Sequence, residues 1–283
     1  MADTLDKLVA LLNLESLTDN QFQGNSSDIS TGRVYGGQAL GQSLMAAQLT
    51  VGRGKSIHSL HAYFLREGDF RIPVKYQVDI MRDGKSFSTR SVTAVQRDEP
   101  IFIATASFQI TETSMEYQNR MPDVPDPDSL KSLRDYPPSG SALRLQQLST
   151  PFDLKPVPLD TTADPSGKTV MQCTWVKTTH AMPDNMDLHR AMLAYISDYG
   201  LVTTALLPHR MRLGNPDLQL ASLDHGMWFH RPFCIDEWLL YVCEPITTGG
   251  ARGLARGSFY NRQGALIATT IQEGLIRLIK KPG

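Results

Sequence analysis

The sequence predicts an α+β fold in which two similar units follow each other along the chain. Each half contains one long helical candidate, at residues 37–50 and 188–207, with three to five strand-like segments after it. The tripeptide IAT occurs at 103–105 and again at 267–269, in matching strand-like segments near the end of each half. A long buried helix wrapped by an antiparallel sheet is the hotdog arrangement, so two such units in tandem predict a double hotdog.

The first half opens with an amphipathic segment in which Leu5, Leu8 and Leu12 recur near helical spacing. The small-residue segment GGQALGQ, at 36–42, then opens the first long helix. Strand candidates follow at SLHAYFLR (59–66), at the alternating VKYQVDIM (74–81), and at SVTAVQRDEP and IFIATASFQI (91–110). Between the second and third of these, RDGK at 82–85 predicts a hairpin turn.

A proline-rich stretch separates the halves, because residues 122–165 hold nine of the 17 prolines. Prolines at this density favour extended connections and exclude long helices. The sequence therefore predicts an N-terminal hotdog at 1–114, a connector at 115–168 and a C-terminal hotdog at 169–283. One short helix near SALRLQQL is expected within the connector.

The second half repeats the order of the first. Its helix at 188–207 is apolar on nearly every face, which is typical of a helix buried on most sides. The segment DHGMWFHR at 224–231 resembles SLHAYFLR of the first half, since each has an aromatic pair followed by Arg two residues later. EWLLYVCEP (237–245), ARGLARGSFY (251–260) and LIATTIQEGLI (266–276) complete the strand candidates, with NRQG at 261–264 as a turn.

The balance of charges and the cysteine count of the sequence exclude several classes of binding partner. The chain has 28 Lys and Arg against 29 Asp and Glu, a net charge of −1, so we expect no nucleic acid or anionic membrane as partner. No apolar run is long enough to span a membrane, and the three cysteines match no zinc pattern, so no metal is predicted. We expect a cytoplasmic protein that forms a homo-oligomer, a dimer or tetramer, because exposed strand edges need cover.

Three polar residues of the second half stand where core residues are expected. Asp198 follows AYIS inside the apolar helix, Ser222 precedes LDHGMWFH, and Gln272 lies within a run suited to a central strand. A carboxylate, a hydroxyl and an amide that converge could hold one water, with the carboxylate accepting its proton. Such a group predicts a hydrolase without a protein nucleophile, although each residue taken alone also fits a structural role.

The sequence lacks the motifs of several other enzyme classes, since it has no GxSxG elbow, phosphate-binding Lys loop, HExxH or Rossmann glycine fingerprint. Gly36 and Gly37 have two interpretations. They either allow close packing of helices, or they place free N–H groups at a helix start where an oxyanion or carbonyl can bind.

These segments resemble the acyl-CoA thioesterase II (TesB-like) family of double-hotdog enzymes. The resemblance extends from about residue 34 to 276, and it rests on the ordered set VYGGQALGQSL, IHSLHAYFLREGD, RDGKSFSTRSV, PIFIATASFQ, LAYISDYG, SLDHGMWFHRPF, EWLLY and ATTIQEG. It implies an enzyme that hydrolyses fatty acyl-CoA to free fatty acid and CoA, without a cofactor, in lipid metabolism. It further implies that Asp198, Ser222 and Gln272 surround the attacking water. Bacterial members often have Thr in place of Ser222.

The CoA phosphates of such a substrate require local cations, because the chain as a whole is not basic. Arg66, Lys85 and Arg90 are the candidates.

Two alternatives remain at the level of sequence. Asp184 and His189 have the five-residue spacing before a helix that resembles hotdog enoyl-CoA hydratases, although the Gly before the Asp and the Pro before the His are missing. A helix N-cap at Asp184 or Asp187 and an ordinary His explain the same stretch. The second alternative is a non-catalytic acyl-CoA binding module, because a shared fold does not guarantee activity.

Overall fold

The computed structural model describes residues 4–29, 32–136, 151–158, 171–211 and 214–279. The α-helices within these ranges are α1 (Thr4–Leu12), α2 (Gly36–Leu49), α3 (Met186–Ser197) and the single turn α4 (Leu201–Thr204). The first six strands are β1 (Glu15–Thr18), β2 (Gln21–Gly24), β3 (Lys55–Phe64), β4 (Val74–Asp83), β5 (Phe87–Gln96) and β6 (Glu99–Ile110). The later strands are β7 (Phe152–Pro156), β8 (Gln172–Thr178), β9 (Leu218–Ser222), β10 (Asp224–Phe229), β11 (Leu239–Gly249), β12 (Arg252–Asn261) and β13 (Leu266–Leu278).

The strands of the described ranges form one sheet in the order β1-β2-β4-β5-β6-β3-β10-β13-β12-β11-β8-β7, with β9 paired to β13. The first half has the strand order β4-β5-β6-β3, and the second half, followed inward from the opposite edge of the sheet, has the corresponding order β11-β12-β13-β10. The two halves meet where β3 pairs with β10. The repeated IAT segments lie on β6 and β13, the matching strands. The predicted α+β double hotdog is confirmed by this topology.

Helices α2 and α3 pack against each other inside the curved sheet, and glycine makes the contact close. An added Cβ at Gly37 would lie 2.0 Å from the Tyr195 carbonyl oxygen, and one at Gly41 would lie 3.0 Å from that of Ala191. Cβ atoms do not approach a backbone oxygen as closely as the first distance, so residue 37 has to be glycine for α2 to lie in this position. The close-packing interpretation of Gly37 is thus confirmed.

The predicted helix at 188–207 is interrupted. Helix α3 ends at Ser197, Asp198 is its C-cap, and Gly200 adopts the left-handed conformation with φ +74° before α4 begins. A glycine in the left-handed conformation is common just beyond the end of a helix, and Gly200 lies two residues after the C-cap, but the apolar residues around it made the sequence resemble one continuous helix. Asp198 therefore lies at a helix end and not on a helix face.

The predicted connector holds one strand that was not expected. Strand β7 lies inside residues 115–168 and pairs with β8, so it belongs to the sheet. The short helix predicted near SALRLQQL lies outside the described residues. The domain boundaries given above stay a prediction.

Candidate active site

Asp198 lies where the C-terminal end of α3 meets the N-terminal end of α2. An added Cβ at Gly36, the first residue of α2, would lie 2.6 Å from Asp198 Oδ2, so the carboxylate approaches the helix backbone closely. The N-terminus of a helix carries unpaired N–H groups and a partial positive charge, which favour a carboxylate. The position thus combines an apolar surrounding with backbone donors suited to an anion.

Gln272 contacts this carboxylate directly. It is fully buried on β13, and its Nε2 donates a hydrogen bond of 2.7 Å to Asp198 Oδ1. Its Oε1 has no hydrogen-bond partner among the residues that the structure describes. The amide therefore orients the carboxylate through one end and presents an acceptor at the other.

Ser222 reaches the same place from the neighbouring strand. It ends β9 and pairs with Gly274 of β13, two residues beyond Gln272. Residues two apart on a strand, and residues directly opposite across an antiparallel pair, point to the same face of the sheet. Ser222 and Gln272 thus share a face, and Ser222 lines two cavities together with Asp198.

The larger cavity has a volume of about 400 Å³ and the smaller about 140 Å³. Both are lined by Asp198, Ser222 and Arg33. The larger one has much apolar lining, from Val34, Phe64, Leu65, Ala221 and Leu223. A pocket of this size that combines this apolar lining with several polar and charged side chains suits a ligand that has both an apolar and a polar part.

The carboxyl group of Asp198 is a weaker acid than usual. Burial raises its pKa from 3.8 to about 6, and the rise is limited by hydrogen bonds from the Gln272 side chain and the Gly37 backbone and by the charge of Arg33. A carboxylate with a pKa near 6 is ionised at neutral pH and is a better proton acceptor than an ordinary Asp.

The backbone N–H of Gly37 is used by this carboxylate, which leaves Gly36 as the glycine of the pair that faces the larger cavity. The two residues therefore differ in their surroundings, although the same two interpretations applied to both from sequence. Arg33 was not predicted; it precedes VYGGQ in a segment without periodicity, and its guanidinium pairs with Glu67 at 2.6 Å across the cavity.

Of the three cations expected to meet a ligand phosphate, Arg66 lines the larger cavity. Its guanidinium donates to the Pro100 carbonyl at 2.8 Å and lies 3.1 Å from Glu99. Lys85 is exposed in the turn between β4 and β5 and does not line that cavity.

The prediction for Arg90 is wrong. Its side chain is 1% exposed, and its guanidinium is bonded to Asp83, to backbone carbonyls of its surroundings and to both oxygens of Thr50 at the end of α2. A guanidinium with its donors already paired inside the protein has none to offer a phosphate.

In this structure His189 is not free to act as the base that the hydratase alternative requires. His189 Nδ1 accepts the Ile235 N–H at 3.0 Å, and its Nε2 lies 3.2 Å from the Pro183 carbonyl. Both ring nitrogens are therefore engaged by backbone. Asn185, not Asp184 or Asp187, is the N-cap of α3.

Within the described ranges, no group of three or more His, Cys, Asp or Glu side chains is placed to hold a metal ion. No helix in those ranges is both long and apolar enough to cross a membrane.

Comparison with known proteins points to one family. Residues 25–109 match the acyl-CoA thioesterase N-terminal domain, and residues 144–275 match the family described as acyl-CoA thioesterase. The chain is 40% identical over 287 residues to acyl-coenzyme A thioesterase 8 of Homo sapiens, which covers 96% of this chain and 89% of that protein. It is 37% identical over 297 residues to acyl-CoA thioesterase 2 of Haemophilus influenzae, covering 98% and 99%.

Among solved structures, acyl-CoA thioesterase II TesB2 from Mycobacterium marinum superposes with a TM-score of 0.82 at 39% identity. The match covers 95% of this chain and 97% of that one. The chain therefore resembles members of this family in both sequence and fold over nearly its whole length.

Proposed function

Since this chain belongs to the TesB-like acyl-CoA thioesterase family and is an acyl-CoA thioesterase, we propose that it hydrolyses fatty acyl-CoA with a water that Asp198 deprotonates. The observation that carries the proposal is the 2.7 Å hydrogen bond from Gln272 to a carboxylate whose pKa is raised to about 6. Ser222, on the same face of the sheet, completes the group that positions the water.

The reaction proceeds in two steps. The water oxygen attacks the thioester carbonyl carbon while its proton passes to Asp198. The C–S bond then breaks, the CoA sulfur takes the proton from Asp198, and the carboxylate is restored. Acyl-CoA and water are thereby converted to fatty acid and CoA thiol, with no covalent enzyme intermediate.

The oxyanion of the tetrahedral intermediate needs hydrogen-bond donors in a site with little water. The N–H of Gly36, at the first position of α2, is the proposed donor, because the N–H of Gly37 already holds Asp198. The apolar part of the larger cavity would accept the acyl group, and Arg66 is the proposed contact for the CoA phosphates.

Replacement of Gln272 by Ala, or of Ser222 by Ala, is expected to lower kcat about 10²-fold with a smaller effect on KM, since each change removes a group that positions the water. Release of CoA thiol over a series of acyl-CoA concentrations measures both constants. Ser222→Thr is the matched control, because it keeps the hydroxyl and should keep most of the turnover. A variant in which KM alone rises would assign that residue to substrate binding instead.

Crotonyl-CoA separates thioester hydrolysis from hydration in one experiment. We expect release of free thiol together with crotonate, in which the carbon–carbon double bond is intact. Formation of 3-hydroxybutyryl-CoA without free thiol would favour a hydratase, and binding without either change would favour a non-catalytic module. A cytoplasmic location and assembly into a dimer or tetramer remain predictions beside this proposal.

A further inference from the structure

The residue directly before Asp198 is held by two buried polar side chains of the sheet. Tyr241, on β11, donates a hydrogen bond of 2.7 Å from its hydroxyl to the backbone carbonyl of Ser197. Its ring is stacked on Phe259 with centroids 3.9 Å apart and planes 6° from parallel, so the hydroxyl has little freedom to move. An added Cβ at Gly257 would lie 2.4 Å from the Tyr241 ring, so glycine leaves the room that this ring occupies.

The second contact is made by His225 of β10, which is 1% exposed. Its Nε2 lies 3.0 Å from Ser197 Oγ, and that hydroxyl donates to the Ala194 carbonyl at 2.8 Å. A hydroxyl has one proton to donate, so it accepts from the imidazole, whose proton is thereby assigned to Nε2. Both the side chain and the carbonyl of Ser197 are therefore fixed from the sheet.

The end of a helix needs such contacts, because its last carbonyls have no partner within the helix. Helix α3 stops at Ser197, and the left-handed Gly200 follows shortly, so few helical hydrogen bonds restrain Asp198. We propose that Tyr241 and His225 are positioning residues, which hold the end of α3 so that Asp198 stays within reach of Gln272 and the Gly37 amide. The proposal rests on the function proposed above for Asp198.

The first half uses the same device with different chemistry. Arg90, on β5, donates to the Thr50 carbonyl at 3.0 Å and to its hydroxyl at 2.8 Å, and Thr50 is the C-cap of α2. A cation suits that end of a helix, and the residue there carries no charge. A cation at the same end of α3 would pair with Asp198 and lower the pKa of its carboxyl group. The neutral donors Tyr241 and His225 hold the end of α3 without lowering that pKa.

The two positioning residues are uncharged around pH 6, where Asp198 titrates. Burial lowers the pKa of His225 to about 3 and raises the pKa of Tyr241. Among the residues that the structure describes, the other ionisable groups that act on Asp198 or respond to its charge are Arg33, Tyr35 and Tyr195. Any change that removal of the Tyr241 hydroxyl makes in the pH profile would therefore act through the position of Asp198.

Tyr241→Phe tests the proposal, because it keeps the ring stacking and removes the one hydroxyl. We expect kcat for acyl-CoA hydrolysis to fall about 10- to 100-fold with KM nearly unchanged, since misplacement of a catalytic group by about 1 Å can cost about 10²-fold. The acid limb of the profile should also move to higher pH, because the Gln272 and Gly37 hydrogen bonds that lower the pKa of Asp198 would be made less often.

Tyr76→Phe is the matched control. Tyr76 is a fully buried tyrosine of β4 whose hydroxyl donates to Gln42 Oε1 at 2.6 Å, so its removal breaks a comparable hydrogen bond that involves neither Ser197 nor Asp198. We expect a similar fall in Tm and little loss of kcat. Equal kcat losses in the two variants, or a Tyr241→Phe effect on KM alone, would overturn the proposal.

A double variant separates positioning from a general structural effect. In the Asp198→Asn background, Tyr241→Phe should have no further effect on residual turnover, because the group that it positions is gone. Additive losses would contradict the proposal. Ser197→Ala, which removes the hydroxyl that links His225 to the Ala194 carbonyl and leaves the Tyr241 hydrogen bond in place, gives a second variant in which a smaller loss of the same kind is expected. Failure of the proposed function itself would appear separately, as near-normal turnover in Asp198→Asn alone.

Discussion

Asp198→Asn is expected to lower kcat for fatty acyl-CoA hydrolysis about 10²- to 10⁴-fold, the range that a positioned general base contributes. The amide keeps the shape of the side chain and can still accept from the Gly37 N–H, but it cannot take the proton of the attacking water. KM should change little, because the apolar cavity and Arg66 are untouched. Thiol release measured under saturating substrate gives kcat directly.

Asp187→Asn is the control for this variant, since Asp187 lies in the first turn of the same helix and pairs only with Arg190 among the salt bridges of the described residues. It should retain normal turnover. Near-normal turnover in Asp198→Asn would remove Asp198 from the mechanism.

The same variant should be more stable than the unmodified protein above about pH 6. The pKa of Asp198 is 3.8 in the unfolded chain and about 6 in the folded one, so the folded state favours the protonated form. The stabilisation from protonation is present below the unfolded pKa and is lost as the pH rises through the folded pKa. The ionised carboxylate therefore costs up to about 3 kcal/mol above pH 6. Thermal unfolding should show Asp198→Asn gaining in Tm relative to the unmodified protein between pH 4 and pH 8.

Gly37→Ala is expected to reduce both stability and activity. The new Cβ would lie 2.0 Å from a backbone oxygen of α3, so one of the two helices has to move. Overpacking of this kind costs about 1–3 kcal/mol, and moving the start of α2 withdraws the Gly37 N–H from Asp198. We expect kcat to fall about 10²-fold as the geometry of the site is lost.

Gly52→Ala is the matched control, because an added Cβ there meets nothing within 4 Å. It should leave Tm and kcat close to their original values. A Gly37→Ala protein with unchanged Tm and kcat would mean that α2 and α3 can separate without consequence for the site.

The fold was largely predictable from local patterns. Alternation in segments such as 74–81 and the repeated IAT indicate strands and a tandem duplication without any knowledge of contacts. The junction of β3 with β10 was not predictable, because it joins residues far apart in the chain through backbone hydrogen bonds that carry little residue signature. The break after Asp198 was visible in principle, since Gly200 follows it, but the apolar run around the glycine favoured a continuous helix.

The site was predictable to the extent that its residues interrupt apolar segments. Asp198 and Gln272 do so, and the structure brings them into hydrogen-bond contact. The prediction that Arg90 contacts a ligand phosphate failed because Arg side chains are usually exposed, whereas this one is buried. Yet Arg90 lies two residues before Val92 and four before Ala94 on β5, and the period of two along a strand places all three on the same buried face. Arg33 lies outside any periodic element, so only the folded chain places it beside the carboxylate.

The pH dependence of kcat/KM, measured for the unmodified protein and for Asp198→Asn, tests the role of Asp198 most directly, because this profile reports the pKa of the free enzyme's essential base. The base acts only when ionised, and burial raises its pKa to about 6. We predict a rate that falls as the pH drops through about 6, a plateau above it, and no such inflection in the residual rate of the variant. A profile without an inflection near pH 6, or one that persists unchanged in Asp198→Asn, would contradict the assignment of Asp198 as the proton acceptor.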